Sequence, residues 1–181
     1  MLNDNERQFL LKTVRSVIRA RLDKKSIPQY NHAGEHLLTR AGIFVTLHLK
    51  NGSLRGCIGY IEGIKPLIEG VVEMAQAAAF QDPRFPPLEE HEYNDIVIEI
   101  TVLSPLIRIN DPDEIIVGKH GLVITKGFNH GLLLPQVPVE QGWDRDTFIS
   151  HTCMKAGLSP DAWKRDKLTM EIFEGEVFGE R

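Results

Sequence analysis

Cysteine is scarce in this chain, with Cys57 and Cys153 alone among 181 residues. Two thiols cannot build the disulfide framework of a small secreted domain. Long hydrophobic runs are missing too. Nowhere do eighteen apolar residues stand together, so no transmembrane helix is expected. The start, MLNDNERQFLLKTV, is polar and then amphipathic, without the basic and continuously apolar parts of a signal peptide. No excess of positive charge exists: 21 Lys and Arg against 25 Asp and Glu leave −4. That balance argues against a dedicated duplex nucleic-acid binder, although a local basic groove is compatible with it. G-x-G-x-x-G, the Walker loop, G-x-S-x-G and paired-cysteine zinc patterns are all absent. These absences describe a cytoplasmic chain with two reduced thiols, no membrane partner and no recognisable cofactor or metal site.

What is present is a full apolar complement. Hydrophobic residues make up 42% and charged residues 25%, with 15 Gly and 10 Pro, which excludes collagen, coiled coil and disorder. The length suits one domain, 1–181. Residues 4–22 read as an amphipathic helix: Asn3 caps it with Glu6 three positions on, and Leu10, Val14, Val17, Ile18 and Leu22 recur at helical spacing. The stretch 23–42 reads as a loop, closing an N-terminal segment 1–39. IFVTLHL alternates in period two, Asn51-Gly52 is a hairpin signal, and LRGCIGY at 54–60 is the returning strand. Asn51-Gly52-Ser53 also matches a glycosylation sequon, but without a secretory signal it reads as a plain turn. A helix over 65–80 opens near Pro66, and IVIEITVL at 96–103 is a third strand.

The rhythm then repeats. GLVIT (121–125) and GLLLPQV (131–137) predict a second hairpin. A helix follows, with Asp144 as its cap and Gly157 as its stop, then a short helix after Ser159-Pro160 and a last strand over 168–178. The expected fold is α+β, built on antiparallel sheets with packed helices. Two hairpin–helix–strand units fill 40–110 and 111–181.

The first hairpin permits a geometric argument. A two-residue Asn51-Gly52 turn pairs Lys50 with Ser53, Leu49 with Leu54, His48 with Arg55 and Thr46 with Cys57. Val45, Leu47, Leu49, Leu54 and Ile58 then face the core, and Thr46, His48, Arg55, Cys57 and Gly59 share the other face. Gly56 and Gly59 would leave room beside Cys57. A neighbouring cation favours the reactive thiolate, and Arg55, two residues along that face, is placed to supply it. The plainer reading makes Cys57 one more small buried residue. Cys153, aligned with Ile149 and Ala156 on its helix, reads as a core thiol.

Three further patterns carry chemistry. In Phe80-Gln81-Asp82-Pro83-Arg84-Phe85-Pro86-Pro87, Asp82-Pro83 starts a turn at a helix exit, and Arg84 can pair with Asp82 or reach an anion. Phe85 is a candidate pocket wall, or else an aromatic plug in a rigid loop. His120-Gly121, ahead of a strand, supplies a general base or a structural hydrogen bond. His32-x-x-Glu35-His36 matches an inverted zinc-protease pattern formally. With Gly34 inside it and no apolar periodicity around it, the segment reads as a solvated loop and no metal is expected.

With LRGCIGY the sequence becomes recognisable: over about 40–180 it resembles the AMMECR domain family, known in prokaryotes as protein A of the AmmeMemoRadiSam system. The matching runs are GIFVTLHLKNGSLRGCIGY (42–60), AAAFQDPRFPPL (77–88), IEITVLSPLIRI (98–109), EIIVGKHGLVI (114–124), GLLLPQVPVEQGW (131–143) and FISHTCMKAGL (148–158). Pro138 stands where the family pattern has alanine. The resemblance implies an α+β fold with a larger and a smaller lobe. It also implies motif positions at Arg55, Gly56, Cys57, Asp82, Arg84, Phe85, His120, Gln136 and Cys153. As partners it implies a Memo-like protein and a radical-SAM protein, with RNA modification as a suggested setting; it implies no reaction.

Three readings follow. In the first, the chain is an enzyme or enzyme component acting on a small molecule or an RNA-derived group. Cys57 is nucleophile or redox thiol, Arg55 and Arg84 bind an anionic group, His120 is the base, and Asp82 orients an arginine. Gly56, Phe85 and Gln136 complete the binding set. In the second, the same face is a non-catalytic docking surface for the Memo-like or radical-SAM partner. An RNA-binding module is a third reading, against which the acidic balance counts.

Overall fold

The computed structural model describes residues 2–30 and 34–180. In chain order the elements are α1 (Asp4–Leu22), α2 (Glu35–Leu38), β1 (Gly42–Leu49), β2 (Leu54–Tyr60), α3 (Leu67–Phe80), β3 (Ile96–Leu103), β4 (Ile107–Ile109), β5 (His120–Lys126), β6 (Asn129–Leu133), α4 (Gln136–Gln141), α5 (Arg145–Lys155), α6 (Ala162–Arg165) and β7 (Thr169–Gly179). The chain divides into two compact units. Unit 1 holds the described residues up to Leu103 together with those from Glu176 on, and unit 2 holds Ser104–Gly175.

In unit 1 the amphipathic helix forms as its spacing dictates. Asn3 Oδ1 accepts the Glu6 N–H at 3.0 Å, and Glu6 returns the bond to the Asn3 N–H at 2.8 Å, which closes a capping box. Leu10, Val14, Val17 and Ile18 are wholly buried. The sheet is antiparallel, with β2, β1, β3 and the last residues of β7 in that order. Alternate side chains on one face, Ile43, Val45 and Leu47 from β1 and Ile96, Ile98 and Ile100 from β3, join the α1 stripe and Leu67, Val71 and Ala75 of α3 in one core. α2 was not expected from the sequence; its Leu37 is buried in the same core.

The first hairpin departs from its expected turn. Gly52 N–H bonds Leu49 O, and Leu49 N–H bonds Ser53 O, both at 2.8 Å. The loop is therefore three residues, Lys50-Asn51-Gly52, with Gly52 at φ +86 supplying the left-handed step. His48 consequently pairs with Leu54 and not with Arg55. Arg55 is the extra residue of a β-bulge, after which Leu47 faces Gly56 and Thr46 faces Cys57 as expected. The two irregularities cancel, and between them they invert two neighbours: Leu54 is exposed, Arg55 buried. Gly56 and Gly59 are themselves closely packed. A Cβ on Gly56 would collide with the Ala78 carbonyl, and one on Gly59 with Ile43 O and the Phe44 ring.

Unit 2 repeats the order of hairpin, helix and strand. Its strands run β4, β7, β5, β6, all antiparallel. The β5–β6 turn is Gly127-Phe128, with Gly127 at φ +60. The second strand of this hairpin ends at Leu133, short of the expected 137, because Gln136 begins α4, whose first turn tolerates Pro138. Asp144 caps α5 through the Thr147 N–H at 2.8 Å, and Gly157 stands past its end at φ +74. Phe148, Ile149 and Cys153 of α5 pack with Leu122, Ile124 and Ile172. Among the described residues no helix is long and apolar enough to cross a membrane.

Candidate functional site

The bulge, the strand after it and the exit of α3 build one cluster in unit 1. α3 ends at Phe80, and Asp82-Pro83-Arg84-Phe85 turns back, with the Phe85 N–H on Asp82 O at 3.1 Å. Proline at the second position of a turn that opens on aspartate is the expected chemistry. The Asp82 carboxylate is buried and saturated. Its Oδ2 accepts the Cys57 N–H at 2.8 Å and Arg84 Nη2 at 2.7 Å, and its Oδ1 accepts Arg84 Nε at 3.0 Å and the Arg84 N–H at 3.1 Å. Arg84 Nη2 also donates to the Cys57 carbonyl at 3.1 Å. The Arg84 guanidinium, ahead of the Cys57 and Arg84 amides, holds the Asp82 carboxyl well below the usual carboxylate range, against the opposing effect of burial. Arg84 is raised in return.

Arg55 makes a second charge pair. Its Nε and Nη2 meet Glu92 Oε1 and Oε2 at 2.6 and 2.9 Å, and Nη2 also reaches Pro86 O at 3.0 Å. The bidentate fork holds Glu92 below its ordinary range. Phe85 lies near both cations, its ring centroid 5.9 Å from Arg55 Cζ and 5.6 Å from Arg84 Cζ. Cys57 is half-buried, and Thr46 Oγ1 donates to its sulfur at 3.3 Å. The sulfur thus receives a hydrogen bond from a hydroxyl. Neither arginine stands as an uncompensated cation beside it.

The structure brings Arg55, Gly56, Cys57, Asp82, Arg84 and Phe85 together in unit 1. His120, Gln136 and Cys153 belong to unit 2. His120 is buried, and its Nδ1 accepts the Ile116 N–H at 3.2 Å. That bond selects the tautomer with hydrogen on Nε2, which lies 4.0 Å from Glu174 Oε1. A base role would require the Ile116 bond to break, so this geometry favours the structural reading of His120. Gln136 is exposed at the start of α4. Cys153 is fully buried, and burial pushes its thiol up.

His32 of the H-x-x-E-H pattern lies outside the described residues. His36 Nδ1 stands 3.0 Å from Glu6 Oε1. Among the described residues no group of three or more His, Cys, Asp or Glu is placed to hold a metal ion. Sequence reasoning missed Glu92 and the bond from Thr46 to sulfur. Glu89, Glu90 and Glu92 look alike in sequence, and only Glu92 reaches Arg55. Glu90 instead pairs with Arg19 of α1.

Comparison with known proteins supplies the rest. Protein MK0488 of Methanopyrus kandleri is 42% identical over 97% of this chain and 88% of its own length. Protein MJ0810 of Methanocaldococcus jannaschii is 43% identical over 99% of this chain and 92% of its own. The crystal structure of protein PH0010 from Pyrococcus horikoshii has the same fold, with a TM-score of 0.86 at 38% identity, covering 99% of this chain and 94% of that one. The AMMECR1 family profile matches residues 11–178, a span that takes in the bulged hairpin, both charge pairs and both thiols. With nearly its whole length matched, the chain belongs to the AMMECR1 family.

Proposed function

We propose that the chain is a cytoplasmic enzyme, or enzyme component, of the AmmeMemoRadiSam system, and that its substrate, a small molecule or an RNA-derived group, meets the face around Cys57. The observation that carries the reading is the treatment of one residue. Cys57 is half-buried while its own N–H and C=O are pinned by Asp82 and Arg84. A reacting group is held this way when its position matters. Cys57 is the reacting thiol in this reading, Arg84 and Phe85 are the contact groups, and Asp82 and Glu92 position the two arginines. The reading draws on unit 1 alone.

The test is comparative profiling of metabolites and RNA nucleosides in a host whose own copy is deleted and replaced. A Cys57→Ser chain should leave the same compound accumulated or missing as the deletion does. If Cys57→Ser restores the whole profile, the reading fails.

A second reading, a non-catalytic adaptor for a Memo-like or radical-SAM partner, is favoured by the compensated arginines and by the hydroxyl, in place of a base, at the sulfur. It expects Cys57→Ser to keep both partner binding and the full profile.

A further inference from the structure

Two arginines beside a thiol ordinarily suggest an anionic ligand, but here each one already holds an anion. Arg55 is engaged by both oxygens of Glu92, and Arg84 by both oxygens of Asp82. The four groups sum to zero charge, and Glu89 adds a further negative field at Arg55. A carboxylate or phosphate taking the bidentate Nε–Nη2 edge of Arg84 would have to displace Asp82. Asp82 is buried and also holds the Cys57 N–H, so displacement would leave an unpaired buried carboxylate behind.

What the cluster does offer is donors without net charge. Arg84 commits Nε and Nη2, which leaves Nη1 without a partner among the described residues, on a side chain 53% exposed. Arg55 Nη1 is buried and has no hydrogen-bond partner among the described residues. Phe85, half-buried beside both guanidiniums, adds an apolar wall.

We infer that the ligand of the Cys57 face is an uncharged molecule that presents carbonyl- or amide-type acceptors, and not a carboxylate or phosphate. The inference rests on the reading of Cys57 as the working group and names the substrate class of that site. Recognition comes from the geometry of neutralised guanidiniums against an aromatic ring, so it is insensitive to salt.

Alkylation of Cys57 in the full chain tests this, with iodoacetamide as the uncharged probe and iodoacetate as the anionic one. Peptide mass mapping separates Cys57 from Cys153. Each native rate is divided by the rate for the same residue in the urea-unfolded chain. The expected preference between the two reagents lies within about twofold of unity and does not change with added sodium chloride, whereas an anion-attracting site would favour iodoacetate by about tenfold at low salt. Inorganic phosphate should not protect the thiol. Asp82→Asn uncovers Arg84 and should raise the iodoacetate rate more than the iodoacetamide rate.

A salt-sensitive preference for iodoacetate in the wild-type chain overturns the inference while leaving Cys57 as the working group. The salt dependence of the wild type keeps this decisive even if Asp82→Asn fails to fold. Failure of both reagents to reach Cys57 in the native chain overturns the underlying reading, and the inference with it.

Discussion

Asp82 Oδ2 accepts the Cys57 main-chain N–H at 2.8 Å, and the Arg84 that grips the same carboxylate donates back to the Cys57 carbonyl at 3.1 Å. The loop after α3 thereby satisfies both main-chain groups of one residue on β2, the edge strand of unit 1. An adjoining strand would do the same with its backbone; here a side-chain ion pair takes that place. Edge protection and placement of the thiol are one arrangement.

Asp82→Asn should therefore cost about 2 kcal/mol, the scale of lost charge-assisted hydrogen bonds. The loss also has a pH signature. The native carboxyl is held below its ordinary range, so its stabilisation is fully present above the unfolded carboxylate pKa, near pH 4, and fades as pH falls toward the lower native value. Urea unfolding of wild type and Asp82→Asn should give midpoints that differ at pH 7 and converge below pH 4. A constant gap across that window would contradict the assignment.

Glu92→Gln removes the partner of a guanidinium whose side chain is 7% exposed. Stranding that charge should cost about 3 kcal/mol. The double change Arg55→Met with Glu92→Gln should recover part of the loss, because the charge and its penalty leave together. Equal or greater destabilisation in the double variant would mean that Arg55 contributes packing in its own right.

Two glycines of the same hairpin separate steric from conformational cost. Gly56→Ala drives a methyl into the Ala78 carbonyl and should destabilise by about 3 kcal/mol. Gly52→Ala meets open space at φ +86 and should cost about 1 kcal/mol for the left-handed conformation alone. Reversal of that order in urea midpoints would discard the close approach of β2 to α3.

The thiols should titrate in two populations. An aromatic disulfide reagent should count one reactive sulfur in the native chain and two after unfolding, because Cys153 is sealed in the unit 2 core. Cys57→Ser should abolish the native signal. A native signal surviving in that variant would show that unit 2 opens readily.

Elements with a strong local signature were legible. The Asn3–Glu6 capping box, the α1 stripe, the Asp144 cap, the alternation of β1 and the strand over 96–103 all stand where the sequence puts them, since each depends on residues within a turn or two of one another. The bulge at Arg55 was not legible. Asn51-Gly52 reads as a two-residue turn, yet the loop has three residues, and a second insertion, at Arg55, is needed to bring Cys57 back opposite Thr46 and Ile58 opposite Val45. That choice belongs to the packing of β1 beneath α1 and α3.

The sequence by itself determined the α+β class, the order of hairpin, helix and strand in each half, and the family, because periodicity, caps and the RGCIG run are local. It also put Arg55, Cys57, Asp82 and Arg84 forward as candidates. The Asp82–Arg84 pair could be read locally, but tertiary structure alone decided that Arg55 takes Glu92 and that Asp82 takes the Cys57 N–H. Glu92 stands 37 residues from Arg55 and Asp82 stands 25 from Cys57, and no local rule selects one carboxylate among several at that separation. Burial does, because a guanidinium removed from water is held only where a carboxylate meets it.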